Sequence, residues 1–140
     1  MRIMSLDLGD KTIGVASSDS MGIIANGVET IRRKGIENDF KRLEELVNEY
    51  EVNKFVVGYP KNMNGSIGER AQKSEAFAEE LGKRFKDVEI VLWDERLSTV
   101  AAEKVLIKAD MQRKKRKKII DMMAAVVILQ NYLDNANNKF

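Results

Sequence analysis

The stretch RIMSLDLGDKTIGVASSD, residues 2–19, decides how this chain folds. In its first seven residues Ile3, Ser5 and Asp7 fall on one face of an extended strand and Met4, Leu6 and Leu8 on the other. GDKT then turns the chain, with a glycine and an aspartate, two residues that adopt turn geometry at little cost. IGVASSD, residues 13–19, reads as a second strand, and after the SMG turn IANGVETI, residues 24–31, reads as a third. Strands joined by turns this short pair antiparallel.

After residue 35 the period changes. Apolar residues at 36, 40, 43, 46, 47 and 50 form a helical stripe. KFVVGYP, residues 54–60, is a buried strand closed by the only proline. KNMNGSIGER is polar and glycine-containing, a mobile loop, and AQKSEAFAEELGKRF, residues 71–85, is helical. VEIVLWDE, residues 88–95, is another buried strand. Ser98 caps a helix through VAAEKVLIK, and the last helix covers about residues 117–134. The order is βββαβαβα with one further helix near the end. It implies an α/β fold in which a mixed five-stranded sheet, three antiparallel strands followed by alternating helices and strands, is flanked by helices. With no repeat and no long linker, a single domain over residues 1–140 is expected.

Composition narrows the chemistry. Apolar residues make up 44% and charged residues 33%, an ordinary globular balance. The longest apolar run, MMAAVVIL at residues 122–129, is far short of the roughly 20 residues a membrane span needs. The N-terminus meets Asp7 before any signal-peptide apolar core can form, so the expected location is the cytoplasm, with no membrane partner. There are no cysteines and no histidines. That removes thiol nucleophiles, disulfides, thiolate zinc sites and the commonest general base. An enzyme built this way works with carboxylates, hydroxyls, lysines and arginines, and a metal it held would sit among oxygens, as magnesium or manganese does.

Charge is unevenly placed. Residues 104–118 hold eight basic side chains and one acidic, a local balance of +7; the net charge is +2, so the rest of the chain carries −5. At the centre is RKKRKK, residues 113–118. A solvated helix end would account for it, but six consecutive like charges repel one another, and a phosphate-binding patch accounts for them better.

Three acidic positions are unusual. Asp7 ends the first strand, Asp94 and Glu95 end the fifth, and Asp121 interrupts the apolar run IIDMMAAVVIL at residues 119–129. Structural roles exist for each. Asp7 could bond the GDKT turn, Asp94 and Glu95 could pair with Arg96 or cap the next helix, and Asp121 could pair with Lys117 or Lys118. The last is the weakest, because Ala124 and Ala125 one turn on would let the helix approach the sheet and draw Asp121 inward. Carboxylates gathered at one point are tolerable mainly around a cation. Two magnesium ions roughly 4 Å apart could activate a water and stabilise the leaving oxygen of a phosphodiester.

DLGDKTIGVASSD, VVGYPKNMNGSIGERA, DERLSTVAA and IIDMMAAVVILQNYL together resemble the YqgF/RuvX family, in order and over nearly the whole chain. The family comprises Holliday junction resolvases, also described as pre-16S rRNA nucleases. The resemblance implies an RNase H-like fold, a small bacterial cytoplasmic protein and Mg2+- or Mn2+-dependent cleavage of structured nucleic acid, with trimming of the 5′ end of the small-subunit rRNA precursor. Its partners would be pre-rRNA or branched DNA, with ribosomal precursor particles, and the protein a monomer or homodimer. Carried over, the family's acids match Asp7, the DER segment and Asp121, as catalytic and metal-binding residues. Within DER we take Glu95 over Asp94, because neighbouring side chains on a strand point to opposite faces. Nucleic-acid contacts fall to Lys11, Arg70, Arg96, Arg113, Lys114, Lys115, Arg116 and Lys117. Thr12 stands where relatives commonly carry a basic residue, which leaves Lys11 to serve there. Trp93 belongs to the core of an apolar strand.

Two other functions fit parts of the sequence. DLGDKTIGVA also resembles the phosphate-binding opening of actin-like ATPases and sugar kinases, but those clamp nucleotide between two lobes and 140 residues supply one. A non-catalytic RNA-binding ribosome assembly factor would use the basic run equally well.

Overall fold

The computed structural model describes residues 2–61, 64–94 and 116–137, the backbone alone for residues 116–121. The elements run β1 (Arg2–Leu8), β2 (Thr12–Ser18), β3 (Ala25–Arg32), α1 (Ile36–Tyr50), β4 (Val52–Tyr59), α2 (Glu69–Arg84), β5 (Glu89–Asp94) and α3 (Arg116–Asn137). The strands form one sheet in the order β3-β2-β1-β4-β5. β1 pairs antiparallel with β2 and β2 with β3, whereas β1–β4 and β4–β5 are parallel. This is the expected mixed sheet. The helix expected from Ser98 lies outside the described residues.

The turn after β1 is tight because Gly9 N–H donates to Thr12 O at 2.9 Å. A Cβ on Gly9 would stand 3.1 Å from that same oxygen, so a side chain there would push the two backbones apart by a few tenths of an ångström. Arg33 ties the turn down from outside. Its backbone N–H donates to Lys11 O at 2.9 Å and its Nη1 to Gly9 O at 2.9 Å.

Alternation along the strands builds two apolar layers. On one face Met4, Leu6, Ile13, Val15, Phe55 and Val57 meet Phe40, Leu43 and Leu46 of α1 and Phe77 and Leu81 of α2. Phe40 packs edge-on against Phe77, with ring centroids 5.4 Å apart. On the other face Ile3, Ala16 and Ala25 lie under Ala125, Val126, Leu129 and Leu133 of α3. Small strand residues there let α3 come close, and a Cβ on Gly27 would meet Met122 Sδ at 3.3 Å.

Polar contacts fix the direction of α3. Ser5 Oγ, fully buried, donates to Ala125 O at 2.6 Å. Gln130 accepts from Ala25 N–H at 3.0 Å and donates to Ile23 O at 3.0 Å, and Asn137 donates to Gly22 O at 3.1 Å. The C-terminal half of α3 thus lies by the β2–β3 turn, at the starting end of β1, and its N-terminal turns point toward the end of β1 where Asp7 stands.

Candidate active site

Asp7 sits at the C-terminal end of the central strand, on the face that α3 covers, as do Ile3 and Ser5. Its cross-strand partner on β2 is Gly14, which in turn pairs with Thr30 on β3. On the other side the β1–β4 register, which runs through Leu6–Val57, carries on to place Gly58 beside Asp7, and Gly58 pairs with Trp93 on β5. One row across the sheet therefore reads Thr30, Gly14, Asp7, Gly58, Trp93. Two glycines leave the carboxylate without side-chain neighbours in its own row.

Burial raises the Asp7 pKa above its ordinary value of 3.8, and the positive charge of Arg70 partly opposes the rise. Asp7 forms no ion pair among the described residues. Thr30 Oγ1 and Trp93 Nε1, at the two ends of the same row, are buried without a hydrogen-bond partner among the described residues. The Trp93 ring packs edge-on against Tyr132 at 5.2 Å, but it is half-buried on the edge strand β5 rather than part of the core that its apolar strand suggested.

The other expected site residues are spread over three elements. Asp94 pairs with Tyr59 and, alternating with Trp93, lies on the face opposite to Asp7. Tyr59 hydroxyl donates to Glu75 of α2, and this contact pushes its pKa up to about 12. Asp121 lies on α3 one turn before Ala125, on the same helix face. Arg116 and Lys117 open α3. Lys11 is exposed in the β1–β2 turn, and Arg70 is exposed in the first turn of α2. Glu95, Arg96, Arg113, Lys114 and Lys115 lie outside the described residues. Among described residues no cluster of three acids stands ready for a metal.

Reading the sequence missed Arg33, which resembles any surface arginine after a strand. Its Nε donates to Asp39 Oδ2 at 3.2 Å, and Asp39 is only 1% exposed. A small cavity of about 20 Å³ at the end of β1 is lined by Leu8, Gly9, Asp10, Arg33, Arg70 and Lys73. The end of β1 therefore carries Asp7 on one face, and around its turn Arg33, Arg70 and Lys73 with Asp10, which pairs with Lys73.

Such a sheet, with an acid closing its central strand and a helix laid across the acidic face, defines an RNase H-like α/β domain. Two solved structures share the fold. RuvC of T. thermophilus in complex with a Holliday junction matches with a TM-score of 0.63 at 10% identity, over 97% of this chain and 96% of that one. The Fowlpox virus resolvase bound to Holliday junction DNA matches with a TM-score of 0.61 at 12% identity, over 97% and 99%. The chain belongs to the RuvX family, described as Holliday junction resolvase, whose model matches residues 1–135. It is 57% identical over 140 residues to a protein of Thermoanaerobacter pseudethanolicus, covering 99% of this chain and 100% of that protein. It is 56% identical over 139 residues to one of Bacillus subtilis, covering 98% and 100%. Both relatives carry the name "Putative pre-16S rRNA nuclease".

Proposed function

We propose that this protein is a metal-dependent endonuclease whose substrate is the 5′ end of pre-16S rRNA. The observation that carries the reading is the register of α3 on β1. From the Ser5–Ala125 hydrogen bond, Asp7 lies two residues, about 7 Å, along the strand. Asp121 lies one turn, about 6 Å, along the helix in the same direction. Both acids thus approach one end of the sheet. Asp94 faces away from α3, which favours Glu95 as the third acid.

The residues fit a hard cation. The chain holds no histidine or cysteine, and Asp7 is a desolvated carboxylate between glycines with no ion pair among the described residues. Asp7, Glu95 and Asp121 would hold Mg2+ or Mn2+. When bound, one or two such ions supply an activated water and neutralise charge at the leaving oxygen. Arg70, whose charge already reaches Asp7, orients the phosphate being cut. Lys11, Arg96, Arg113, Lys114, Lys115, Arg116 and Lys117 hold flanking phosphates. The names of the full-length relatives favour rRNA as the substrate, and the domain would work in the cytoplasm on precursor particles. The family's description and the junction-bound structures favour a second reading, cleavage of a four-way DNA junction by the same residues.

The test offers purified protein, with Mg2+ or Mn2+, an RNA spanning the 5′ processing site and a four-way DNA junction. The expected result is cleavage of the RNA, lost in Asp121→Asn while binding is kept. Cleavage of the junction alone selects the second reading. Cleavage undiminished in Asp121→Asn refutes the acidic site. Tight binding without cleavage of either makes the protein an assembly factor.

A further inference from the structure

Behind the β1–β2 turn, on the face opposite to Asp7, lies a cleft of about 310 Å³. It is at the small end of ligand-sized clefts, which run roughly 300–1,000 Å³. Its walls are Leu8, Ile36, Ala76 and Phe77, with Asp10, Arg33 and Lys73 at its polar margin. Arg33 is held in place: its guanidinium lies over the Phe77 ring, 5.8 Å from the ring centre, and Nε and Nη1 are bonded to Asp39 and Gly9. Its Nη2 carries no hydrogen bond among the described residues. Ile36, at the mouth, is 42% exposed. The walls are mostly apolar, the margin carries charges of both signs with Arg33 and Lys73 paired to Asp39 and Asp10, and the opening sits at the same strand end as Asp7.

The cleft adjoins the small cavity beside Arg70. Leu8, Asp10, Arg33 and Lys73 line both it and the small cavity that Arg70 closes. On the nuclease reading, a strand whose phosphate lay against Asp7 and Arg70 would pass over Gly9 toward this opening. We propose that the cleft receives one unstacked nucleobase, from a nucleotide adjoining the cut phosphodiester. Phe77 is only 4% exposed and lies beneath Arg33, so the stacking surface is the planar guanidinium with the aliphatic side chains of Ile36 and Ala76 beside it; bases stack on such a plane, and stacking tolerates any base. Lys73, now paired with Asp10 and Glu69 on the surface, stands where the following phosphate would lie. The inference rests on the nuclease reading for the path of the strand, and not on turnover.

The test measures binding in Asp121→Asn protein, so that nothing is cut. The probes are a 5′-tailed RNA duplex and a four-way DNA junction, each made as a series with an abasic nucleotide moved one position at a time. Ala76→Trp fills the cleft from an exposed helix position, and Ile36→Asp makes its mouth acidic while suiting the first turn of α1. At one position the abasic substitution should raise Kd about tenfold with the cleft open. With either cleft substitution added, the same abasic nucleotide should cost nothing further. If abasic losses at every position of both probes are unchanged by Ala76→Trp and Ile36→Asp, the proposal is overturned. Coupling without cleavage by the unsubstituted protein would sink the nuclease reading and leave the base site standing. Cleavage without coupling would do the reverse.

Discussion

Replacing Asp7 by asparagine should make the protein more stable and inactive. The carboxylate is desolvated and lacks an ion pair among the described residues, and the charge of Arg70 offsets only part of that cost. Its folded pKa lies above the unfolded value of 3.8, so the folded state binds the proton more tightly than the unfolded chain. Ionisation of Asp7 therefore costs stability, increasingly as pH climbs from about 3.8 through the raised folded pKa, and by a constant amount above it. An asparagine at this position has no proton to lose and escapes that cost. The gain expected at pH 7 is about 0.5–2 kcal/mol, the range of single stabilising substitutions. For a domain of this size each kcal/mol moves the melting midpoint by roughly 3–5 °C. Thermal melts of both proteins at pH 7 and pH 3.5 would show a gap that closes in acid. Metal should reverse the order. At a hundred times its Kd a cation bound only by the folded state adds about 2.7 kcal/mol to the wild type and little to Asp7→Asn. The reasoning fails if Asp7→Asn is less stable than wild type by the same amount at both pH values. Asp7 would then be a turn former and nothing more.

Other substitutions test the frame around the site. Ser5→Ala removes the buried bond to Ala125 and should cost about 1 kcal/mol in denaturant unfolding, with turnover falling further than substrate affinity as α3 loses its register. Arg33→Met keeps the stem against Phe77 but removes a donor from Asp39, which is 1% exposed; a loss of about 1–3 kcal/mol should appear in thermal melts. Replacing Lys114, Lys115 and Arg116 together by alanine should weaken binding and lower the slope of log K against log salt by about 2–3.

The strands and their faces were legible because period-two alternation and turn residues are local signals. Ile3, Ser5 and Asp7 do share a face, and α1 spans Ile36–Tyr50 as its apolar stripe required. Ends were less visible. β4 begins at Val52 rather than Lys54 because Val52 pairs with Arg2, a partner fifty residues away. α2 begins at Glu69, where Gly68 supplies an extended cap. In the last helix Ala125 is buried against the sheet, whereas Ala124 is exposed, so one small residue makes the close approach. The site was legible as residue types without geometry. Nothing local announces that Ser5 will bond Ala125, that Gln130 will bridge to Ala25 and Ile23, or that Gly14 will stand beside Asp7. Those facts exist only after strands and helix have paired at long range.

The seating of α3 has a consequence for synthesis. When the ribosome has made residue 94, all five strands and both helices of the Phe40–Phe77 layer have been translated. Ile3, Ala16 and Ala25 still lack their cover, because α3 is the element that buries them. Ser5 has no Ala125 to bond, and the β2–β3 turn has neither Gln130 nor Asn137. A nascent chain of that length therefore exposes an apolar sheet face. Arrival of α3 ends that condition: the surface most prone to stick is covered by the same helix that carries Asp121.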